Sequence, residues 1–189
     1  YLYVDGELVK ENYYEYSGKT YYFDQEGHME TGIFEDKTGK RCMAEPSGAV
    51  ITNPTKGWNK SSEADIWYYY KSNAEGDLYP VDNEMLNLNG KKYYIDWNGR
   101  MITGAFYYDG STYFANTNGE IQEKASWYID SKGNWYYVKQ DGKVVTDDIY
   151  KIGNKSYIFD GDGVMQKGTV WYNGKMYLTD NNGAVISTN

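Results

Sequence analysis

Two series of glycines run in step along the 189 residues, and they restrict the fold more than any other feature. One series closes a short turn after an aromatic segment. It comprises Gly6, Gly27, Gly48, Gly76, Gly99, Gly119, Gly142, Gly163 and Gly183, at steps of 21, 21, 28, 23, 20, 23, 21 and 20 residues. The other precedes the aromatic segment, at Gly18, Gly39, Gly90, Gly110, Gly133, Gly153 and Gly174, and in six of these seven copies the two glycines stand 9 residues apart. Two phased series over a whole chain mark an internal repeat.

The clearest copy runs from Leu86 to Phe106. Lys91-Lys92-Tyr93-Tyr94-Ile95 reads as a strand, because stiff or flat side chains pack well on a pleated surface. Asp96-Trp97-Asn98-Gly99 reads as its turn: Asp96 can accept from nearby N–H groups and Gly99 supplies a positive φ. Arg100-Met101-Ile102 then reads as the return strand of the same hairpin. A lone two-stranded hairpin is marginal in water, so the copies must bury one another. The expectation is an all-β fold, a β-solenoid of stacked β-hairpin repeats of about 20 residues. Residues 1–189 read as one continuous array of about eight to nine modules, with an irregular insert near residues 51–66. Residues 1–10 read as the second half of a module, so the chain opens inside the pattern, as a mature form or a piece of something longer would. The third copy is degenerate: Arg41, Cys42 and Met43 replace the aromatics. Strand alternation sets Tyr21/Phe23, Tyr93/Ile95, Tyr136/Val138 and Tyr157/Phe159 on one face, and Tyr22, Tyr94, Tyr137 and Ile158 on the other. Both faces are apolar, and both are expected to be covered.

Composition narrows the function. Tyr (23) and Trp (6) dominate the apolar residues, and Gly (21) far outnumbers Pro (3), which suits short strands and many turns. A net charge of −8 argues against nucleic acid and against anionic membrane surfaces, which select for clustered Lys and Arg. No apolar run approaches the ~20 residues needed to span a bilayer, so no membrane insertion is expected. Cys42 is the sole cysteine and can form no internal disulfide. Catalytic patterns are lacking. His28 is the sole histidine, and no phosphate loop, zinc spacing or dinucleotide fingerprint occurs. The expectation is a protein that is not an enzyme and needs no cofactor. Asp24, Asp96 and Asp160 recur at one hairpin position and read as turn caps. Asp160-Gly161-Asp162-Gly163 starts like a calcium loop but has no Glu at the last ligand position, so it reads as a solvated turn.

Gly-x-x-Tyr-Tyr-Phe-Asp-x-x-Gly-x-Met-x-Thr-Gly, over Gly18 to Gly32, resembles the cell-wall-binding repeat superfamily, which includes choline-binding repeats, glucan-binding repeats of glucansucrases and the repeat tails of clostridial toxins. The resemblance covers essentially the whole chain. It implies a β-solenoid with aromatic clusters between successive turns, serving as a non-catalytic attachment region of a secreted or surface protein of Gram-positive bacteria. Two copies approach the choline-binding form: Gly57-Trp58…Trp67-Tyr68-Tyr69 and Trp127…Trp135-Tyr136-Tyr137. In that subfamily two Trp of one module and an aromatic of the next form a cage for a quaternary ammonium. The second copy has Ser126 before its Trp, and the first carries an insert between its tryptophans.

Aromatic faces stack on sugar rings and attract trimethylammonium groups by cation–π contact. Trp58, Trp67, Trp127, Trp135 and Trp171 are the candidate platforms, with Tyr150 as the neighbour from the module after Trp135. The partners implied are cell-wall glycan, glucan or choline-bearing teichoic acid. A structural spacer, a homodimer or a toxin-like receptor-binding region stands as a further option.

Overall fold

In the computed structural model, which describes residues 1–188, the chain is all-β, and no helix occurs among these residues. It divides into two compact units, Tyr1–Leu86 with Tyr94–Met101, and Asn87–Tyr93 with Ile102–Asn189. In chain order the first holds β1 (Tyr3–Val4), β2 (Glu7–Leu8), β3 (Asn12–Tyr16), β4 (Lys19–Phe23), β5 (Gly32–Glu35), β6 (Arg41–Ala44), β7 (Gly57–Lys60), β8 (Trp67–Ser72) and β9 (Leu78–Pro80). The hairpin of β10 (Glu84–Leu88) and β11 (Lys91–Ile95) contributes residues to each unit. The second unit continues with β12 (Gly104–Tyr108), β13 (Ser111–Ala115), β14 (Ser126–Ile129), β15 (Trp135–Val138), β16 (Asp148–Ile152), β17 (Lys155–Phe159), β18 (Thr169–Tyr172), β19 (Lys175–Thr179) and β20 (Val185–Thr188). Each sheet is made of strands consecutive in sequence. Seven sheets are two-stranded, and β7-β8-β9 and β18-β19-β20 are three-stranded.

The glycine that makes each hairpin differs from the sequence expectation. At Asn89-Gly90 both residues have positive φ (54° and 78°), and Asp109-Gly110 repeats this. Such a two-residue turn matches the right-handed twist of the flanking strands. A full ladder therefore forms around the glycine series that precedes the aromatic segment, as in β12–β13 from Gly104↔Ala115 to Tyr108↔Ser111. The closing turn has another chemistry. Asp96 Oδ1 accepts from the N–H groups of Asn98 (2.9 Å) and Arg100 (2.8 Å). Beyond it only the single bridge Ile95↔Met101 forms, so Arg100–Ile102 is not the return strand of that hairpin.

The reason is that the emerging segment bonds elsewhere. The Met101 N–H donates to the carbonyl of Trp67 in the preceding module, at 2.8 Å. The same backbone staple recurs from Val50 to Thr20, Ile121 to Lys92, Val144 to Thr112 and Met165 to Trp135, at 2.7–2.8 Å. Two closing turns do lead into ladders, β8–β9 and β19–β20. The opening residues also differ from expectation. Residues 3–8 form a complete hairpin, β1–β2, across Asp5-Gly6, so Gly6 belongs with the hairpin-turn glycines.

Closing glycines have a packing role as well. A Cβ on Gly163 would lie 2.6 Å from Val144 Cγ1, and one on Gly183 would lie 2.6 Å from Met165 Sδ. Val144 and Met165 each stand two residues after the previous closing glycine. Gly27 under Leu8 and Gly48 under Met29 repeat this seating, whereas Gly76 stands in open space and Gly99 takes Met43 and Ile33 instead.

Both strand faces are covered. Adjacent Tyr22 and Phe23 are buried together, as are Ile158 and Phe159. In the first unit Tyr22, Phe34 and Ala44 form one cluster, and Met43, Tyr68 and Tyr70 another. In the second, Phe114, Tyr136, Val138 and Val144 pack together, and Val145, Phe159 and Met165 form the next cluster. The insert is organised by a buried carboxylate. Glu45, 4% exposed, accepts from Ser61 Oγ (2.6 Å), the Ser62 N–H (3.0 Å) and the Tyr68 hydroxyl (3.1 Å). These charge-assisted bonds offset its desolvation.

Two outcomes follow for stability. Gly174 has a φ of +73° in open space, so Gly174→Ala should cost about 1 kcal/mol from backbone strain. Gly163→Ala adds the overlap with Val144 and should cost about 2–4 kcal/mol, both measured by urea unfolding. Acid should also unfold the protein through its turn caps. Burial raises the Asp36 and Asp130 carboxyls, but the hydrogen bonds each accepts outweigh this and leave both below the usual range. Their stabilisation is complete above the unfolded value of about 3.9 and fades as pH falls through the lower folded value. The urea midpoint should therefore drop between about pH 4 and pH 2, and Asp130→Asn should flatten that drop.

Candidate ligand-binding site

The hairpin β14–β15 pairs Trp127 with Tyr137 and Ile129 with Trp135. Antiparallel pairing places these four side chains on one face. Tyr128 and Tyr136 point to the other, where both rings meet Phe114, at 5.5 and 5.2 Å between centroids. The turn between the strands is held by Asp130. Its Oδ1 accepts from the N–H groups of Lys132 and Asn134, and its Oδ2 accepts from the Tyr136 hydroxyl at 3.0 Å. Burial, with that bond to Asp130, pushes the Tyr136 phenol up to about 12. Trp135 thus leaves a turn anchored on its other face.

The next module completes the site. The Met165 N–H donates to the Trp135 carbonyl at 2.8 Å, so the staple that joins the modules also carries Met165 to the indole pair. Trp127 meets Tyr157 at 4.8 Å and 73°, Trp135 at 6.5 Å and 78°, and Phe159 at 5.7 Å and 27°. Trp127, Trp135, Tyr157 and Met165 line an open cavity of about 290 Å³, with Lys167 and Asn182 at its exposed rim. Trp127 is half-buried, whereas Trp135 is 37% exposed. Ring faces set nearly perpendicular around a shared space offer π density from several directions.

Of the six residues singled out by sequence, Trp127 and Trp135 come together here. Tyr150 does not line the cavity. It faces Tyr137 at 5.8 Å and packs against the cluster of Val145, Phe159 and Met165. The neighbouring module's aromatic in this space is Tyr157, which the strand pattern places in the core. Strand alternation held the signal: Tyr157 and Phe159 share one face, and both meet Trp127. Met165 stands at the Met position of the repeat motif, two residues after Gly163. In the first Trp-bearing copy, Trp58 sits edge-on against Tyr69 at 5.0 Å, and the Lys60 ammonium lies 5.7 Å from the Trp67 ring centroid. That copy presents one of its own cations to an indole. Trp171, on β18, is 71% exposed, as is Trp97 in its turn.

No protein-family model and no curated protein matches the chain. Solved structures do. Choline-binding protein F of Streptococcus pneumoniae is 30% identical with a TM-score of 0.50, over 89% of this chain and 55% of that one. CbpF in complex with ipratropium gives 29% and 0.51, over 89% and 57%. CbpJ of Streptococcus pneumoniae TIGR4, at 24% identity and a TM-score of 0.51 over 89% and 56%, shares the fold. The chain is similar to the cell-wall-binding repeat superfamily, on its choline-binding side. It spans a little over half the length of these structures.

The two indoles should separate in their effect on folding. Trp127→Ala removes a ring packed among Tyr137, Tyr157 and Phe159 and should cost about 3 kcal/mol. Trp135→Ala should cost under about 1 kcal/mol in the same urea titration.

Proposed function

We propose that the chain is a non-catalytic attachment module of a secreted or surface-exposed bacterial protein, and that the site at Trp127, Trp135 and Tyr157 takes a quaternary ammonium such as the choline of decorated teichoic acid. The observation that carries this reading is the ring arrangement. Three aromatic faces from successive modules border one open cavity with a thioether on its wall. Each ring contributes ~0.5–2 kcal/mol to a cation, depending on desolvation. A trimethylammonium group is bulky, weakly hydrated and unable to donate hydrogen bonds, so an aromatic cage suits it. The likeness to choline-binding protein F supports the same reading.

A second reading is glycan attachment, to cell-wall polysaccharide or glucan. It rests on the exposed rings of Trp97 and Trp171, flat faces of the kind that stack on sugars. Individual contacts of this size are weak, and several along one chain gain by avidity. We read residues 1–189 as one continuous array wound as a β-solenoid, on the strength of the recurring staples and seated side chains.

Titration with millimolar choline, followed by tryptophan fluorescence, tests the primary reading. Saturable quenching or a blue shift is expected, and Trp135→Ala should weaken binding about tenfold or more. An unchanged spectrum in the native protein refutes choline capture. Retention on whole cell walls or α-glucan by the same protein would then favour the glycan reading.

A further inference from the structure

We propose that Lys60 is a specificity-determining residue: its ammonium stands where a ligand cation would lie on the Trp58–Trp67 hairpin and closes that hairpin to quaternary ammonium. This rests on the reading of Trp127 and Trp135 as a cation cage. It extends that reading to a second position, built alike and occupied from within.

The two Trp-bearing hairpins correspond position by position. In β7–β8 Trp58 pairs with Tyr69 and Lys60 with Trp67. In β14–β15 Trp127 pairs with Tyr137 and Ile129 with Trp135. Alternation puts each set of four side chains on one face of its hairpin. Three of the four positions are identical, and the fourth is Lys60 against Ile129. Each hairpin is also fastened by the same staple. The Met101 N–H donates to the Trp67 carbonyl and the Met165 N–H to the Trp135 carbonyl, both at 2.8 Å. A methionine therefore arrives at the same point of each.

The fourth position decides what can lie on the rings. The Lys60 ammonium stands 5.7 Å from the Trp67 ring centroid, within the ~6 Å reach of a cation–π contact. Asp65 Oδ1 holds it from another side at 3.0 Å. Asp65 belongs to residues 61–66, which replace the Asp130-capped turn of the other hairpin and close through the Ser61 N–H on the Ile66 carbonyl at 2.8 Å. An exposed ion pair contributes little to stability, but this one aims the ammonium at the indole. A tethered cation acts at an effective concentration that a free ligand has to exceed. A trimethylammonium group brought to the same face also meets like charge. At the other hairpin Ile129 has no charge, and Lys167 borders the cavity without standing over either indole among the described residues.

Equilibrium dialysis against radiolabelled choline counts the sites. Lys60→Ile, which copies residue 129, should bind one more choline than the native protein. Lys60→Gln, which removes the charge and keeps a long side chain, should gain the same site. Lys60→Arg keeps a cation and should gain none. The added site should bind at least about tenfold more tightly than the native hairpin does, and Trp58→Ala placed on Lys60→Ile should abolish it. A role of Lys60 in stability alone would move the urea midpoint and leave the count unchanged. The gain should persist with Trp135→Ala in the same chain, so the two readings can fail separately. Loss of the Trp135-dependent site bears on choline capture in the second unit, and the count in the Lys60 variants bears on Lys60. Equal counts in the native protein, Lys60→Ile and Lys60→Gln would overturn the proposal, as would an equal gain in Lys60→Arg.

Discussion

One kind of backbone hydrogen bond, found at five steps along the chain, fastens successive modules. After a closing turn the chain can continue as a third strand of its own hairpin, as it does in β8–β9 and β19–β20. At five steps it instead gives its N–H to a carbonyl in the preceding module. A two-stranded hairpin is marginal alone, and this bond places its exposed edge and its aromatic rings against a neighbour. In the second unit the same bond, from Met165 to Trp135, assembles the candidate cage. Fold and site thus share a cause: rings from successive modules meet because the backbone is fastened at that point.

Much of this architecture is legible in the residues alone. The phased glycines announce the repeat, and the Tyr-rich strands announce sheet with both faces covered. What the pattern hides is which glycine turns the hairpin. Gly90 and Gly99 both follow polar residues and both take positive φ. Only the backbone pairing shows that Asn89-Gly90 carries the ladder while Asp96–Gly99 ends it. Asp caps and hairpin turns use similar residues for different geometries.

The site was half legible. Trp127 and Trp135 stand out as a Trp-bearing hairpin, and alternation puts them together. Their third partner is a matter of which strand of the next module reaches across. Tyr150 and Tyr157 sit opposite each other in the β16–β17 ladder, and the choice between them depends on the angle at which that hairpin lies. Met165 stands at the Met of the repeat motif, but its place beside the indole pair comes only from the three-dimensional packing. Likewise the insert reads as an irregular loop, whereas Glu45 gathers it into an ordered element by collecting Ser61, Ser62 and Tyr68.

The seating of Val144 on Gly163 and of Met165 on Gly183 has an evolutionary side. At these junctions one module brings a knob and its successor a socket. A duplication or deletion that respects this pairing leaves both junctions matched, whatever the ring content between them. Modules joined in this way can diverge in ring content while the coupling between them stays interchangeable.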